Sequence, residues 1–218
     1  MPNTANDFAE LENLIGLRNG PGVYEKLKPA HVGIAGCGGL GSNLAVILAR
    51  AGVGKLTFID FDIVEPSNLN RQQYFVDQIG MPKVQALAAN LKRINPFVSL
   101  KWYQIKIDNK NTKQFFASCN FVAECFDDPV AKAEITKAMR RYLPTTPLVT
   151  VSGIAGDGPA CTISCRRVFG NHFIIGDGVS AATANARLLA SRVTLAAALQ
   201  ANVIIRWLLG LITAHQGE

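Results

Sequence analysis

The chain has 218 residues, 49% of them hydrophobic and 17% charged, and its 22 Lys and Arg outnumber 16 Asp and Glu for a net charge of +6. That length allows one large domain or two small ones with a substantial core, and the composition excludes a disordered chain. The positive excess suits an anionic ligand or an acidic partner, but its basic doublets (Lys92-Arg93, Arg140-Arg141, Arg166-Arg167) are too scattered to argue for nucleic acid.

Residues 1–29 read as a mixed N-terminal arm. A short amphipathic helix carrying Phe8, Leu11, Leu14 and Ile15 ends near Gly16, and Asn19-Gly20-Pro21-Gly22 is turn chemistry. Residues 31–36 are a short apolar run, a buried strand, that feeds Gly36-x-Gly38-x-x-Gly41 and a helix over 42–50 stopped by Gly52 and Gly54. A second strand spans 55–60. After a polar loop, Pro82 suits the first turn of a helix over 83–94, which Asn95-Pro96 ends. Residues 98–104 and 120–126 read as strands, 130–142 as a helix and 148–152 as a strand closed by Gly153, Gly156 and Gly158. Then 161–168 and 172–175 read as strands, and 181–209 as a long Ala- and Leu-rich helix interrupted early. The alternation predicts one continuous α/β domain with a Rossmann-like, mostly parallel sheet flanked by helices. The nucleotide-binding core is 30–155, and 156–218 adds antiparallel strands and the last helix.

No stretch of about 20 residues is uninterruptedly apolar, so no membrane span is expected; the richest stretch, 193–211, is broken by Gln200, Asn202 and Arg206. Residues 1–12 carry three acids and no basic or long apolar run, unlike a secretory leader. The five cysteines (Cys37, Cys119, Cys125, Cys161, Cys165) contain no C-x-x-C pair, so the expectation is a reduced, cytoplasmic protein without a disulfide framework or zinc knuckle.

The glycine loop sits between a strand and a helix, the context in which backbone amides and the helix N-terminus receive a phosphate. Asp60 ends the next strand, where an acid can hold ribose hydroxyls. Tight packing without any ligand is the alternative for these glycines. The stretch from Asp60 through Asp62, Asn68, Asn70, Arg71 and Gln72 is too polar for an ordinary connection, and Lys83, Asp127 and Asp128 lie beyond it. Asp60 and Asp127 both sit at the carboxyl ends of parallel strands, outside which ligands bind. Two cations with a carboxylate suit a triphosphate and its Mg²⁺, and no Walker lysine motif is present.

The run GIAGCGGLGSNLAVILARAGVGKLTFIDFDIVEPSNLNRQQY, followed by IGMPKVQAL, RINP and CFDD, resembles the ThiF/MoeB superfamily, related to the ubiquitin-activating enzymes, over residues 30–155. The tail (176–180 and 196–202) is similar to that of the short second ThiF family, which lacks the zinc cysteines. The resemblance implies ATP-dependent adenylation of the C-terminal glycine of a small ubiquitin-like carrier, here a ThiS-like protein ending in Gly-Gly in thiamine-thiazole synthesis. It implies that Gly36, Gly38, Gly39 and Gly41 line ATP and that Asp60 holds its ribose. Asp62, Asn68, Asn70, Arg71, Gln72 and Lys83 would gather about the phosphates, with Asp127 on Mg²⁺ and Asp128 beside it. Arg71, Lys83 and Asp127 would carry catalysis. It also implies a homodimer in which an arginine of the partner's arm reaches the phosphates. The usual arm motif is missing here, and Arg18 is the nearest candidate.

The departures are specific. Cys161 and Cys165 are separated by three residues and have no second pair, so no zinc is expected. The sulfur-transfer cysteine of some relatives has no counterpart, and the short chain implies a reduced carrier-gripping region. A ThiF-like dehydratase activating a carboxylate on modified tRNA is an alternative enzyme reading. A nucleotide-bound interaction module and an NAD dehydrogenase are others, the last leaving Asn68 to Gln72 unexplained.

Some residues read two ways. Cys37, at a helix start, is either a reactive thiol or a small residue tolerated in the loop. Asp177 lines a carrier-tail channel or makes a plain turn. Arg166-Arg167 receives an acidic carrier or sits on a solvated edge. The apolar face of 193–209 is core or dimer interface. His31, His172 and His215 lack ligand-spaced partners, and Trp102 and Trp207 read as packing residues.

Overall fold

The computed structural model of the protein describes residues 5–180 and 187–213. Two helices, α1 (Ala5–Leu17) and α2 (Val23–Leu27), precede β1 (His31–Ala35), α3 (Gly39–Ala51) and β2 (Lys55–Ile59). Then come α4 (Lys83–Ile94), β3 (Ser99–Tyr103), α5 (Thr112–Phe116), β4 (Phe121–Glu124), α6 (Pro129–Tyr142), β5 (Leu148–Val151), β6 (Ser164–Phe169), β7 (His172–Gly176) and α7 (Ala190–Leu208). The strands form one seven-stranded sheet in the order β3-β2-β1-β4-β5-β7-β6. Every pairing is parallel except β6 with β7.

This topology places the site. The sheet grows outward from β1 to β3, and the chain then returns to lay β4 on the other side of β1. The β1/β4 boundary is therefore a switch point, where the following loops part and leave a crevice. β1, β4 and β5 are mostly apolar and buried along nearly their whole length because helices cover both faces, with Glu124 and Thr150 as buried polar exceptions. The larger core, under α3, α4 and α7, is built on Val32, Ile34, Leu56, Phe58, Phe121 and Phe173. The smaller, under α5 and α6, holds Ala35, Ile59, Phe116, Val122 and Ile135. The face of α7 left open between core and dimer interface is core: Val193, Ala196, Ala197, Ala201 and Ile204 are buried. Trp207 packs edge-on to Phe121 and Phe173, at 6.1 and 6.0 Å between ring centres.

Four elements differ from the sequence-based expectation. The last helix begins at Ala190, not at 181; residues 181–186 lie outside the described ones. Arg187 to Leu189 are not helical because their backbone is used elsewhere. Leu188 bridges to Gly156, and the Gly156 N–H donates to the Arg187 carbonyl at 2.7 Å. The first of the two late strands starts at Ser164, since Ala160–Thr162 form a 3-10 turn. α2 and α5, five residues each, are too short for periodicity to reveal. In α1, Leu14 of the expected apolar stripe is exposed, while the Phe8 side chain, like His215, lies outside the described residues. No helix among the described residues is long and apolar enough to cross a membrane.

Both described histidines are satisfied structural groups. The His31 ring lies 2.8 Å from Thr57 Oγ1 and 3.1 Å from the Ser118 carbonyl. His172 on β7 is buried with Nε2 3.1 Å from Thr150 Oγ1. Burial, and then the charge of Arg140, lower its pKa to about 4. Between about pH 6.5 and pH 4 the unfolded chain therefore takes up a proton here that the folded chain does not, and stability falls as pH falls through that window. His172→Gln is expected to flatten the melting temperature against pH between those limits; a variant with the wild-type slope contradicts the assignment.

Candidate active site

The glycine loop is the floor of the crevice. Gly36 has φ +98°, and a Cβ there would lie 3.0 Å from the Cys125 carbonyl on the loop after β4. A Cβ on Gly41 would lie 1.8 Å from the Gly36 carbonyl oxygen, so only glycine lets α3 start directly over the end of β1. Gly38 precedes α3 with no side-chain cap, leaving first-turn amides and the positive helix end facing the crevice. Gly39 packs on α7, its Cβ position 2.9 Å from Val193 Cγ1. Gly38 differs from the others: a Cβ there would meet nothing nearer than Gln72 Nε2 at 4.0 Å.

Asp60 is buried at the end of β2, its carboxylate accepting the N–H of Cys37 at 2.6 Å and of Asp62 at 2.8 Å. Burial raises its pKa, opposed by those two N–H groups and by the charge of Lys83. Each oxygen keeps a lone pair for a further donor such as a hydroxyl. Lys83, buried at the start of α4, donates from Nζ to Asp62 at 2.7 Å. An ammonium has three donors, so two remain for phosphate oxygens. Arg71 donates from one terminal nitrogen to the Ser67 carbonyl at 3.0 Å and to Asn70 Oδ1 at 2.7 Å. Among the described residues the rest of its fork is uncommitted.

Other expected ligands hold the loops. Asn68 Oδ1 accepts the Glu65 N–H at 3.1 Å, closing a 3-10 turn over Pro66–Asn68. Asn70 aims Arg71 and reaches the Leu188 carbonyl at 3.4 Å. Asp128 caps α6 through the Val130 and Ala131 amides. Asp127 is exposed and makes no hydrogen bond or ion pair to another described residue.

Two observations test the fit of a nucleotide. Gln72 is buried, yet its Oε1 has no hydrogen-bond partner among the described residues, and its amide stands beside the space in front of Gly38. A buried acceptor left unpaired is costly, and a bound polar ligand would relieve it. The open space at Gly38 is where a phosphate can approach the backbone. For Mg²⁺, Asp127 offers an open carboxylate at the carboxyl end of β4. Among the described residues no group of three or more His, Cys, Asp or Glu is poised to hold a metal. A cation here would thus share Asp127 with phosphate oxygens and water, the ligand set Mg²⁺ prefers.

The reactive reading of Cys37 fails: the thiol is fully buried, and burial, then the nearby Asp60, push its pKa well up. Its backbone carbonyl accepts Tyr74 Oη at 2.6 Å. Asp177 makes the plain turn, accepting Val179 and Ser180 amides at 2.8 Å. It pairs with buried Arg192 at 2.9 Å, and Ser180, chiefly through its hydroxyl, holds its pKa down to about 2. Arg166 is exposed, whereas Arg167 stacks on Phe173 at 5.0 Å.

Sequence reasoning missed Asn43, Glu124 and Lys132. Asn43 on α3 donates to the Gly39 and Arg71 carbonyls at 2.6 and 2.9 Å, tying the loop of Arg71 to the first turn of α3. Glu124 ends β4 fully buried and pairs with Lys132 on α6 at 3.0 Å. The signal for Glu124 was available: an acid inside a buried strand needs a partner.

The chain matches the ThiF family over residues 11–217. It is 34% identical over 143 residues to the molybdopterin-synthase adenylyltransferase of Salmonella typhimurium, covering 65% of this chain and 57% of that protein. It is 33% identical over 146 residues to the adenylyltransferase and sulfurtransferase UBA4 of Eremothecium gossypii, covering 66% of this chain and 32% of the relative. The chain thus spans between about a third and just over half of these relatives' lengths. Among solved structures, the E. coli tRNA N6-threonylcarbamoyladenosine dehydratase TcdA in complex with ATP superposes with a TM-score of 0.83 at 20% identity, over 97% of this chain and 98% of that one. E. coli MccB with ATP gives 0.67 at 24% identity, over 88% and 60%.

Gly38→Ala separates a phosphate cradle from packing glycines. With nothing within 3.9 Å of the added methyl, the variant is expected to keep the wild-type melting temperature and lose ATP affinity about tenfold or more in a calorimetric titration. Gly41→Ala, forced against the Gly36 carbonyl, is expected to lose both. Wild-type ATP affinity in Gly38→Ala contradicts the cradle.

Proposed function

The chain belongs to the ThiF family, and on that premise we propose that it is an ATP-dependent adenylyltransferase that activates a carboxylate as its acyl adenylate. The single observation that carries this reading is the set of groups around the β1/β4 crevice: uncapped α3, buried Asp60, Lys83 and Arg71 with donors to spare, and open Asp127. The acceptor oxygen attacks the α-phosphate of ATP, and pyrophosphate leaves. A carboxylate is already ionised at neutral pH, so no general base is required. The residues position the phosphates and offset charge as it moves onto the leaving group. Arg71 presents a planar fork and Lys83 a point charge. Mg²⁺, held through Asp127, would supply further neutralisation of phosphate charge.

The acceptor we assign is the C-terminal glycine carboxylate of a ubiquitin-like sulfur carrier. Support comes from the relatives at 33 and 34% identity, both adenylyltransferases by name. A ThiS-type carrier in thiamine synthesis is the narrower form of this reading and rests on the resemblance of the sequence. Arg18, exposed after α1 with no hydrogen bond or ion pair to another described residue, is available to complete a second copy's site in a homodimer. A second reading, a tRNA carboxylate as acceptor, is favoured by one observation. The likeness to TcdA runs over 97% of this chain and 98% of that one, whereas the molybdopterin-synthase adenylyltransferase of Salmonella typhimurium matches 65% of this chain.

ATP–pyrophosphate exchange tests both. Exchange is expected with a carrier ending in Gly-Gly and not with a carrier lacking its last glycine; exchange stimulated only by threonylcarbamoyladenosine-containing tRNA would favour the second reading. A charge-assisted hydrogen bond contributes roughly 1.5–3 kcal/mol, so Arg71→Ala is expected to slow exchange about 10- to 150-fold. Asp127→Ala should slow it at least as much. Wild-type rates for both variants at saturating Mg²⁺ would exclude these roles.

A further inference from the structure

We infer that the buried Glu124–Lys132 pair is a positioning device that presents Asp127 to the metal–phosphate group, an inference that rests on Asp127 being the metal ligand. Glu124 is the last residue of β4 and is wholly inaccessible to solvent. Its carboxylate accepts the Phe126 N–H at 2.6 Å, one residue before Asp127, and faces the Val151 N–H at 3.4 Å, at the end of β5. Lys132, from the second turn of α6, donates to both carboxylate oxygens at 3.0 and 3.1 Å and to the Val151 carbonyl at 3.0 Å. On α7, Gln200 donates to the Glu124 carbonyl at 3.1 Å.

The consequence for Asp127 is local. Phe126 is held from inside by Glu124. Asp128 is held from outside as the cap of α6, with 3.0 Å to the Ala131 amide. Both neighbours of Asp127 are pinned, while the Asp127 side chain makes no hydrogen bond or ion pair to another described residue. A loop built only for stability has no use for this arrangement. A buried ion pair roughly breaks even against apolar residues of similar size, and β4 is otherwise apolar. The pair also leaves Asp127 as the uncompensated carboxylate of the loop: Glu124 is balanced by Lys132, and Asp128 is committed to the helix dipole and its amides. Lys132 and Glu124 act through Asp127 and touch no substrate.

The test measures nucleotide binding to the full chain by calorimetry, with and without Mg²⁺, alongside the Mg²⁺ dependence of ATP–pyrophosphate exchange. The variants are Lys132→Met, the double variant Glu124→Gln/Lys132→Met, Lys132→Arg and Asp127→Asn. Lys132→Met strands a buried charge and is expected to lose stability; the double variant restores neutrality and recovers melting temperature. The half-saturating Mg²⁺ concentration is nonetheless expected to rise about tenfold or more in the double variant, with metal-free ATP affinity unchanged and Lys132→Arg closest to wild type. A purely structural pair would not separate these readouts. A double variant that melts like the wild type and keeps its Mg²⁺ response overturns the inference, and so does Lys132→Arg shifting as far as the double variant. Asp127→Asn distinguishes the two levels. If it abolishes the Mg²⁺ dependence while the pair variants do not alter it, the positioning inference fails alone. If it leaves that dependence intact, the metal assignment fails and takes the inference with it.

Discussion

A single buried carboxylate ties the working end of this sheet together. Asp60 draws the Cys37 amide of the glycine loop onto the end of β2 at 2.6 Å and the Asp62 amide at 2.8 Å. Asp62 then pairs with Lys83 at the start of α4. The Cys37 carbonyl receives Tyr74, which closes the segment bearing Arg71 and Gln72. The loops after β1 and β2, the head of α4 and the 70–74 segment are thus joined through a few short hydrogen bonds; those of buried Asp60 and Tyr74 lie in a low-dielectric setting, where each is stronger than in water.

The crevice separates polar groups that are spent from polar groups that are free. Asn43, Asn68, Asn70, Asp128 and Tyr74 give their hydrogen bonds to backbone or to neighbouring side chains, and in doing so they fix loops. Among the described residues, Asp127, most of the Arg71 fork, two of the Lys83 donors and the Gln72 carbonyl oxygen are left over. Donors fixed before substrate arrives need no reorganisation when charge develops, which is the physical basis of electrostatic catalysis. The same division explains why several residues of one polar stretch have unequal roles.

Much of this was legible in the sequence. Buried parallel strands are apolar runs between turn signals, and a glycine loop between strand and helix has a narrow set of physical uses, so β1, α3, β2, α4 and the open α/β sheet follow directly. What stayed hidden depends on contacts distant in sequence. The last helix starts late because Leu188 is recruited by Gly156, 32 residues away by the numbering; Ala and Leu composition carries no trace of that. Asn68 and Asp128 have the chemistry of ligands and the positions of caps, and spacing alone cannot choose between the two. Cys37 sits where a helix N-terminus would activate a thiol, but burial prevails. Glu124 was the legible exception that went unread.

The proposed reaction begins with attack by a carboxylate oxygen on the α-phosphate of ATP at the β1/β4 crevice. An acceptor carrying ¹⁸O in its terminal carboxylate tests this directly. Attack at the α-phosphate leaves ¹⁸O in the AMP released when the activated acyl group is transferred to a nucleophile, with pyrophosphate as the other product of ATP. Label in inorganic phosphate, accompanied by ADP, would mean attack at the γ-phosphate and would contradict it.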